Sequence, residues 1–75
     1  MTLESAPCGD PVVIETSDLA SIWVRRLAEL GLRIGTVVVP LHRTAGGGRV
    51  VGVGDARVAV AGAALRRISV RPDAA

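Results

Sequence analysis

The sequence predicts a mainly β protein: a small, strongly bent barrel of about five strands with one α-helix inserted after the first strand. Three observations carry this expectation. Short runs rich in valine and isoleucine alternate apolar with small or polar residues, the pattern of half-buried strands. Glycine-containing turns separate these runs. One stretch near the middle instead spaces its apolar residues three to four apart, as a helix does. An open five-strand sheet in a chain of 75 residues would leave two bare edges and one naked face, so the strands are expected to curl up.

Residues 1–10 read as a flexible lead-in, because Pro7, Gly9 and, just beyond, Pro11 break regular structure. Val12 to Thr16 is the first strand. Ser17 and Asp18 are turn or cap residues. Either Asp18 caps a helix starting at Leu19 or Ser21 caps one starting at Ile22, and the sequence leaves both open. In both cases Ala20, Trp23, Leu27 and Leu30 share one face, opposite Arg25, Arg26 and Glu29. Trp23 is therefore expected as a core anchor with its N–H at the edge.

Leu27 to Thr36 should form the sharpest corner of the chain. Gly31 follows the last periodic residue, where a left-handed backbone costs glycine little. With Gly31 as C′, Leu32 is C″ and Leu27 is C3, the pair that touches in a Schellman motif. Gly35 suits the third position of a type II turn running Arg33 to Thr36. Leu27, Leu30, Gly31, Leu32 and Gly35 are thus the residues expected to specify the fold.

Thr36 to Arg43 is the second strand, with Pro40 marking an edge or a bulge. Ala45 to Gly48 reads as a mobile hairpin tip. Arg49 to Val53 and Ala56 to Ala61 pair across Gly54-Asp55, with glycine at the first central position as a type II′ turn requires. Ala63 to Leu65 makes a single helical turn, and Arg67 to Val70 is the last strand. The domain is placed at residues 11–71, with 72–75 a frayed tail.

Composition limits the function classes. A 75-residue chain makes one domain with a small core. Trp23 is the sole aromatic residue, so that core is aliphatic. Cys8, the one cysteine, cannot form an internal disulfide, which argues against a stapled secreted domain. There is no basic leader and no run approaching the ~18 apolar residues of a membrane span, so a cytoplasmic, non-spanning protein is expected. Charge is lopsided within a net +2: residues 1–24 hold Glu4, Asp10, Glu15 and Asp18, and all nine arginines follow. This basic half reads as solvated surface. Without aromatics to stack on bases, no nucleic-acid partner is expected, although a small RNA-associated barrel is one alternative.

Catalytic chemistry finds little support. A structural zinc site takes four ligands, whereas His42 and Cys8 are the only imidazole and thiol, so no metal site or cofactor is expected within one copy. Cys8 reads as an idle thiol. Gly46 to Gly48 is not followed by the Lys-Ser or Lys-Thr of a phosphate-binding loop. The carboxylates are scattered, with no acid–base pair. The chain does not read as an enzyme.

The run Leu27-x-x-Leu30-Gly31-Leu32-x-x-Gly35-Thr36 resembles the Leu-x-x-Leu-Gly-Leu-x-Pro-Gly-Thr of the FeoA family, small accessory proteins of bacterial ferrous iron uptake. The closing pattern, Val58-x-Val60 through Leu65 to Ile68-x-Val70, is similar to the end of a FeoA domain, so the resemblance spans Pro11 to Val70. It implies an SH3-like barrel. It also implies a partner, the cytoplasmic domain of the large G-protein-like membrane transporter of ferrous iron, which the protein would bind and modulate without catalysis. Ile34 departs from the family's turn proline, Asp55 from a common glycine, and Val60-Ala61 from a frequent Leu-Arg. The same barrel occurs as the C-terminal domain of iron-dependent repressors of the diphtheria-toxin-regulator type, which makes a regulatory module the other alternative. No helix-turn-helix accompanies it in this sequence.

In the family pattern Val38 faces the barrel interior, so Val37, Val39 and Leu41 form an outward apolar stripe beside Pro40. Two readings of the stripe compete. The lead-in, with its own Leu3, folds over it, or it docks the transporter or a second copy of the chain as a weak homo-oligomer.

Overall fold

The computed structural model describes residues 1–17 and 21–73. Strand β1 (Val12–Ser17) precedes helix α1 (Ser21–Glu29), followed by β2 (Val37–Arg43), β3 (Arg49–Val53) and β4 (Ala56–Val60). A one-turn helix α2 (Gly62–Leu65) and strand β5 (Ile68–Pro72) complete the order. Asp18, Leu19 and Ala20, where one helix-start reading and one expected face position fall, lie outside the described residues, as do Ala74 and Ala75 of the expected tail.

The strands form one antiparallel sheet in the order β4-β3-β2-β1-β5. Strand β2 pairs with β1 through Val37 and Val38 and with β3 through Val39, Pro40 and Arg43. The change of partner midway along β2 is the bend of the barrel. Pro40 therefore sits in the central strand and not at an edge, but the expected bulge is there, since the register with β3 shifts between Pro40 and Arg43. The Pro40 carbonyl accepts the Gly9 N–H at 2.7 Å, on the side where β1 has run out. A strand residue's N–H and C=O point the same way, so the missing N–H of Pro40 subtracts nothing from the β3 ladder.

The corner after α1 is built as its glycines require. The Gly31 N–H donates to the Ala28 carbonyl at 3.0 Å and the Leu32 N–H to the Leu27 carbonyl at 2.8 Å, the two bonds of a Schellman cap. Gly31 has φ +93° and Gly35 φ +88°, both left-handed. The Thr36 N–H closes the turn onto the Arg33 carbonyl at 3.0 Å. Gly35 N–H to Ile14 C=O (2.7 Å) and Ile14 N–H to Thr36 C=O (3.0 Å) then hook this corner onto β1.

The core is aliphatic: Val12, Ile14, Val38, Val51, Leu65 and Ile68 fill the barrel, with Leu27 and Leu32 closing it from the α1 side. Two expectations fail here. Trp23 and Leu30 are not core residues; they remain 50% and 51% exposed. Ile22 to Arg26 are all exposed, and Leu27 is the buried side chain of the helix among the described residues. Helical spacing identifies an apolar face, but the interior facing it is too small to take more than the last turn.

Part of that interior is occupied by the N-terminus. The Val70 N–H donates to the Met1 carbonyl at 2.8 Å, the Leu3 N–H to the Ile68 carbonyl at 2.9 Å, and Thr2 bridges Ser69. Residues 1–6 thus add an arm to the free edge of β5 and seat Leu3 fully in the core, so the opening of the chain is not the loose lead-in its composition suggests. At the other end, β5 continues to Pro72 opposite Val12, and the Asp73 N–H donates to the Pro11 carbonyl at 3.1 Å. The last strand outruns its expected end at Val70.

Candidate interaction surface

Arg49 opens β3 with its side chain directed under the arm, only 2% exposed. Its Nη1 donates to the carbonyls of Ala6 at 2.6 Å, Leu3 at 3.1 Å and Glu4 at 3.4 Å. Arg43, at the end of β2, adds Nη2 to the Glu4 carbonyl at 2.8 Å and Nη1 to the Glu4 carboxylate at 3.0 Å. A non-helical arm lying on a barrel exposes carbonyls that must find donors, and two arginines from neighbouring strands supply them. These arginines belong to the fold. Arg49 is buried, and Arg43, with its side chain 52% exposed, is tied to Glu4, so neither is the free surface charge that charge counting alone would assign.

The stripe on β2 follows the expected alternation. Val38 is fully buried, while Val37 is 44% exposed. Val39 and Leu41 are half-buried, because Gly52 on β3 leaves a shallow place for them: a Cβ at Gly52 would lie 3.7 Å from Leu41 Cδ1 and 3.8 Å from Val39 Cβ. Leu3 joins the core cluster with Val38, on the opposite face of β2 from the stripe. The arm does not cover the stripe with Leu3.

A larger apolar feature lies elsewhere. Helix α1 and the β4–α2 connection bound an open groove of about 690 Å³. Trp23, Arg26, Leu27 and Leu30 form the α1 wall. The facing wall is built largely from alanines, among them Ala59, Ala61 and Ala63, and ends at Arg67. The Arg26 guanidinium lies 5.8 Å from the Trp23 ring centroid, in cation–π range. The sequence signal for this groove is a run of small residues, which read as featureless until α1 is placed opposite them.

Cys8 and His42 are both exposed. Among the described residues no group of three or more His, Cys, Asp or Glu side chains is arranged to hold a metal ion. None of their helices is long and apolar enough to cross a membrane.

The FeoA domain model matches residues 1–72, the arm included. The chain belongs to the FeoA family. Among solved structures, a zinc complex of FeoA from Stenotrophomonas maltophilia is 32% identical, with a TM-score of 0.75 over 95% of this chain and 89% of that one. That protein is described as a prokaryotic SH3-domain protein, with a suggested role as an activating factor of bacterial ferrous iron transport. The FeoA protein from Chlorobium tepidum has the same fold, with a TM-score of 0.87 at 22% identity, covering 96% of this chain and 70% of that chain. The metal-dependent transcriptional regulator MtsR also shares it, at a TM-score of 0.81 and 12% identity, with 96% of this chain matching 36% of the regulator. No curated protein matches the chain. The fold is thus an SH3-like FeoA barrel, and the family ties it to ferrous iron transport.

Proposed function

We propose that this FeoA chain is a non-enzymatic, cytoplasmic accessory protein of bacterial ferrous iron uptake that binds and modulates the membrane GTPase transporter from the cytoplasmic side. The observation that carries the reading is the FeoA match over residues 1–72. It is supported by the exposed apolar side chains on α1 and at Val37, which offer a partner surface to cover. Calorimetric titration against the purified cytoplasmic domain of the organism's ferrous iron transporter tests it, with GTP hydrolysis followed in parallel. Saturable binding and a changed hydrolysis rate are expected; two folded proteins that give no binding heat at two well-separated temperatures would reject the reading. In this proposal the Val37, Val39 and Leu41 stripe is a contact surface, through Val37 above all. Val37→Thr with Val39→Thr keeps strand propensity while removing apolar area, and should weaken the complex or self-association.

The likeness to MtsR favours one other reading, a regulatory module of the repressor type, on fold alone. A nucleic-acid role is separable from both. Under the accessory reading, binding to duplex DNA or RNA at physiological salt should be no tighter than generic cationic attraction, roughly 10⁻⁴ M or weaker. Submicromolar, sequence-dependent binding in a polarisation assay would replace the transport reading with the RNA-associated barrel.

A further inference from the structure

We propose that the groove between α1 and α2 docks an acidic amphipathic helix of a partner protein, apolar side chains against Trp23 and Leu30 and carboxylates toward the flanking arginines. The inference rests on the accessory reading only for who the partner is. Its chemistry comes from the groove. Two large apolar side chains stand half out of the fold on one wall, Trp23 and Leu30. Facing them, Ala59, Ala61 and Ala63 leave room that larger residues would fill. The resulting volume of about 690 Å³ is that of a ligand-sized cleft, typically about 300–1,000 Å³.

Charge then selects the occupant. Arg26 sets a positive charge on the α1 wall of the groove. A neighbouring cavity bounded by Ala63, Arg66, Arg67 and Ser69 extends the positive edge. Arg26 lies over the indole of Trp23, which sets its charge beside the apolar wall. A helix with an apolar stripe flanked by Asp and Glu matches this arrangement, since helix-in-groove recognition places anchors at i, i+3 and i+4. A lipid surface is a poorer match, because a flat bilayer does not enter a concave cleft. Nucleic acid is poorer still, with a single indole for base stacking.

Trp23 makes the test direct: as the sole aromatic residue it is the only source of tryptophan emission. The probes are a synthetic Leu/Glu amphipathic peptide of about four turns and a Leu/Lys peptide of the same pattern. The acidic peptide should shift Trp23 emission to the blue, saturably, and bind at least about tenfold more tightly than the basic one. Arg26→Glu should shrink or invert that preference. Ala63→Leu, which fills the groove at an exposed position, should abolish the shift without lowering the melting temperature. Equal affinity for the two peptides, no emission change in the unmodified protein, or undiminished binding by Ala63→Leu each overturns the proposal. A larger shift with phosphatidylglycerol vesicles than with the acidic peptide also overturns it, assigning the face to membranes. The two proposals fail separately. Unimpaired binding of Ala63→Leu to the transporter domain removes the groove and leaves the accessory role. Peptide binding without transporter binding does the reverse.

Discussion

The N-terminal arm and helix α1 make opposite use of the same small interior. The arm, residues 1–6, has no regular structure of its own, yet it seats Leu3 in the core without exposure. Helix α1 offers Ile22, Trp23, Val24 and Leu27 and buries Leu27 alone of these. The difference lies in the backbone. A helix satisfies its own N–H and C=O groups and can stand on a surface held by one turn. An irregular arm cannot, so it stays only where a strand edge and donor side chains complete its hydrogen bonds. Here β5 supplies the edge and Arg49 and Arg43 supply the donors. The arm takes interior volume that α1 does not reach, and the surplus apolar surface ends up on the helix, facing solvent and the groove.

The sharpest way to break this comparison is to remove the donor. Arg49→Met keeps an unbranched apolar stem but leaves the carbonyls of Leu3, Glu4 and Ala6 without the Nη1 bonds. Stranded buried acceptors, together with the lost charge-assisted bonds, should cost about 3 kcal/mol in urea unfolding. Amide exchange at Leu3 and Val70 should accelerate more than exchange in β3 and β4. An unchanged urea midpoint would mean that β5 and Arg43 hold the arm without Arg49.

A smaller effect is expected where the helix meets the barrel. At Gly31 a side chain meets two obstacles: φ of +93° and a Cβ position 3.0 Å from Val53 Cγ1. At Gly35 φ is +88° but nothing lies within 4 Å. Gly31→Ala should therefore cost about 2 kcal/mol and Gly35→Ala about 1 kcal/mol from backbone strain alone, with Gly31→Val costlier than either because a β-branched residue resists positive φ. Thermal melts followed by circular dichroism check all three. Equal costs for the two alanine variants would show that contact with Val53 contributes nothing to the corner.

These two regions also show what the sequence discloses. The corner is legible because each part of it is local: glycine at C′, leucines at C3 and C″, and a second glycine four residues on. The arm is not, because its burial depends on a guanidinium from β3 that meets its carbonyls across more than forty residues of chain. Nothing near Leu3 announces that partner, and Arg49 viewed alone is one more surface charge. Trp23 shows a different limit. Periodicity says which residues share a face, but not whether the domain has volume to receive them. The stripe was readable from alternation, down to Val38 inward and Val37 outward, while the shelter that Gly52 gives Val39 and Leu41 belongs to pairing. The groove was hidden because its alanines gain meaning only from α1 across from them.

The smallest expected effect concerns Leu30. It lies just past the last residue of α1, and its N–H already reaches the carbonyls of Arg26 at 3.3 Å and Leu27 at 3.1 Å, bonds that need no side chain. Glutamine has nearly the helix propensity of leucine, so Leu30→Gln isolates the apolar contact itself. A side chain that is 51% exposed has already kept much of its area in water, and the change should move stability by less than about 0.5 kcal/mol in urea unfolding. A cost above about 1 kcal/mol would mean that α1 is held to the barrel by its outer wall as well as by Leu27. The leucine that the family pattern places before Gly31 would then serve the fold. If the change is neutral, stability gives no account of a large apolar side chain at that position, and the groove it lines becomes the reason to keep it.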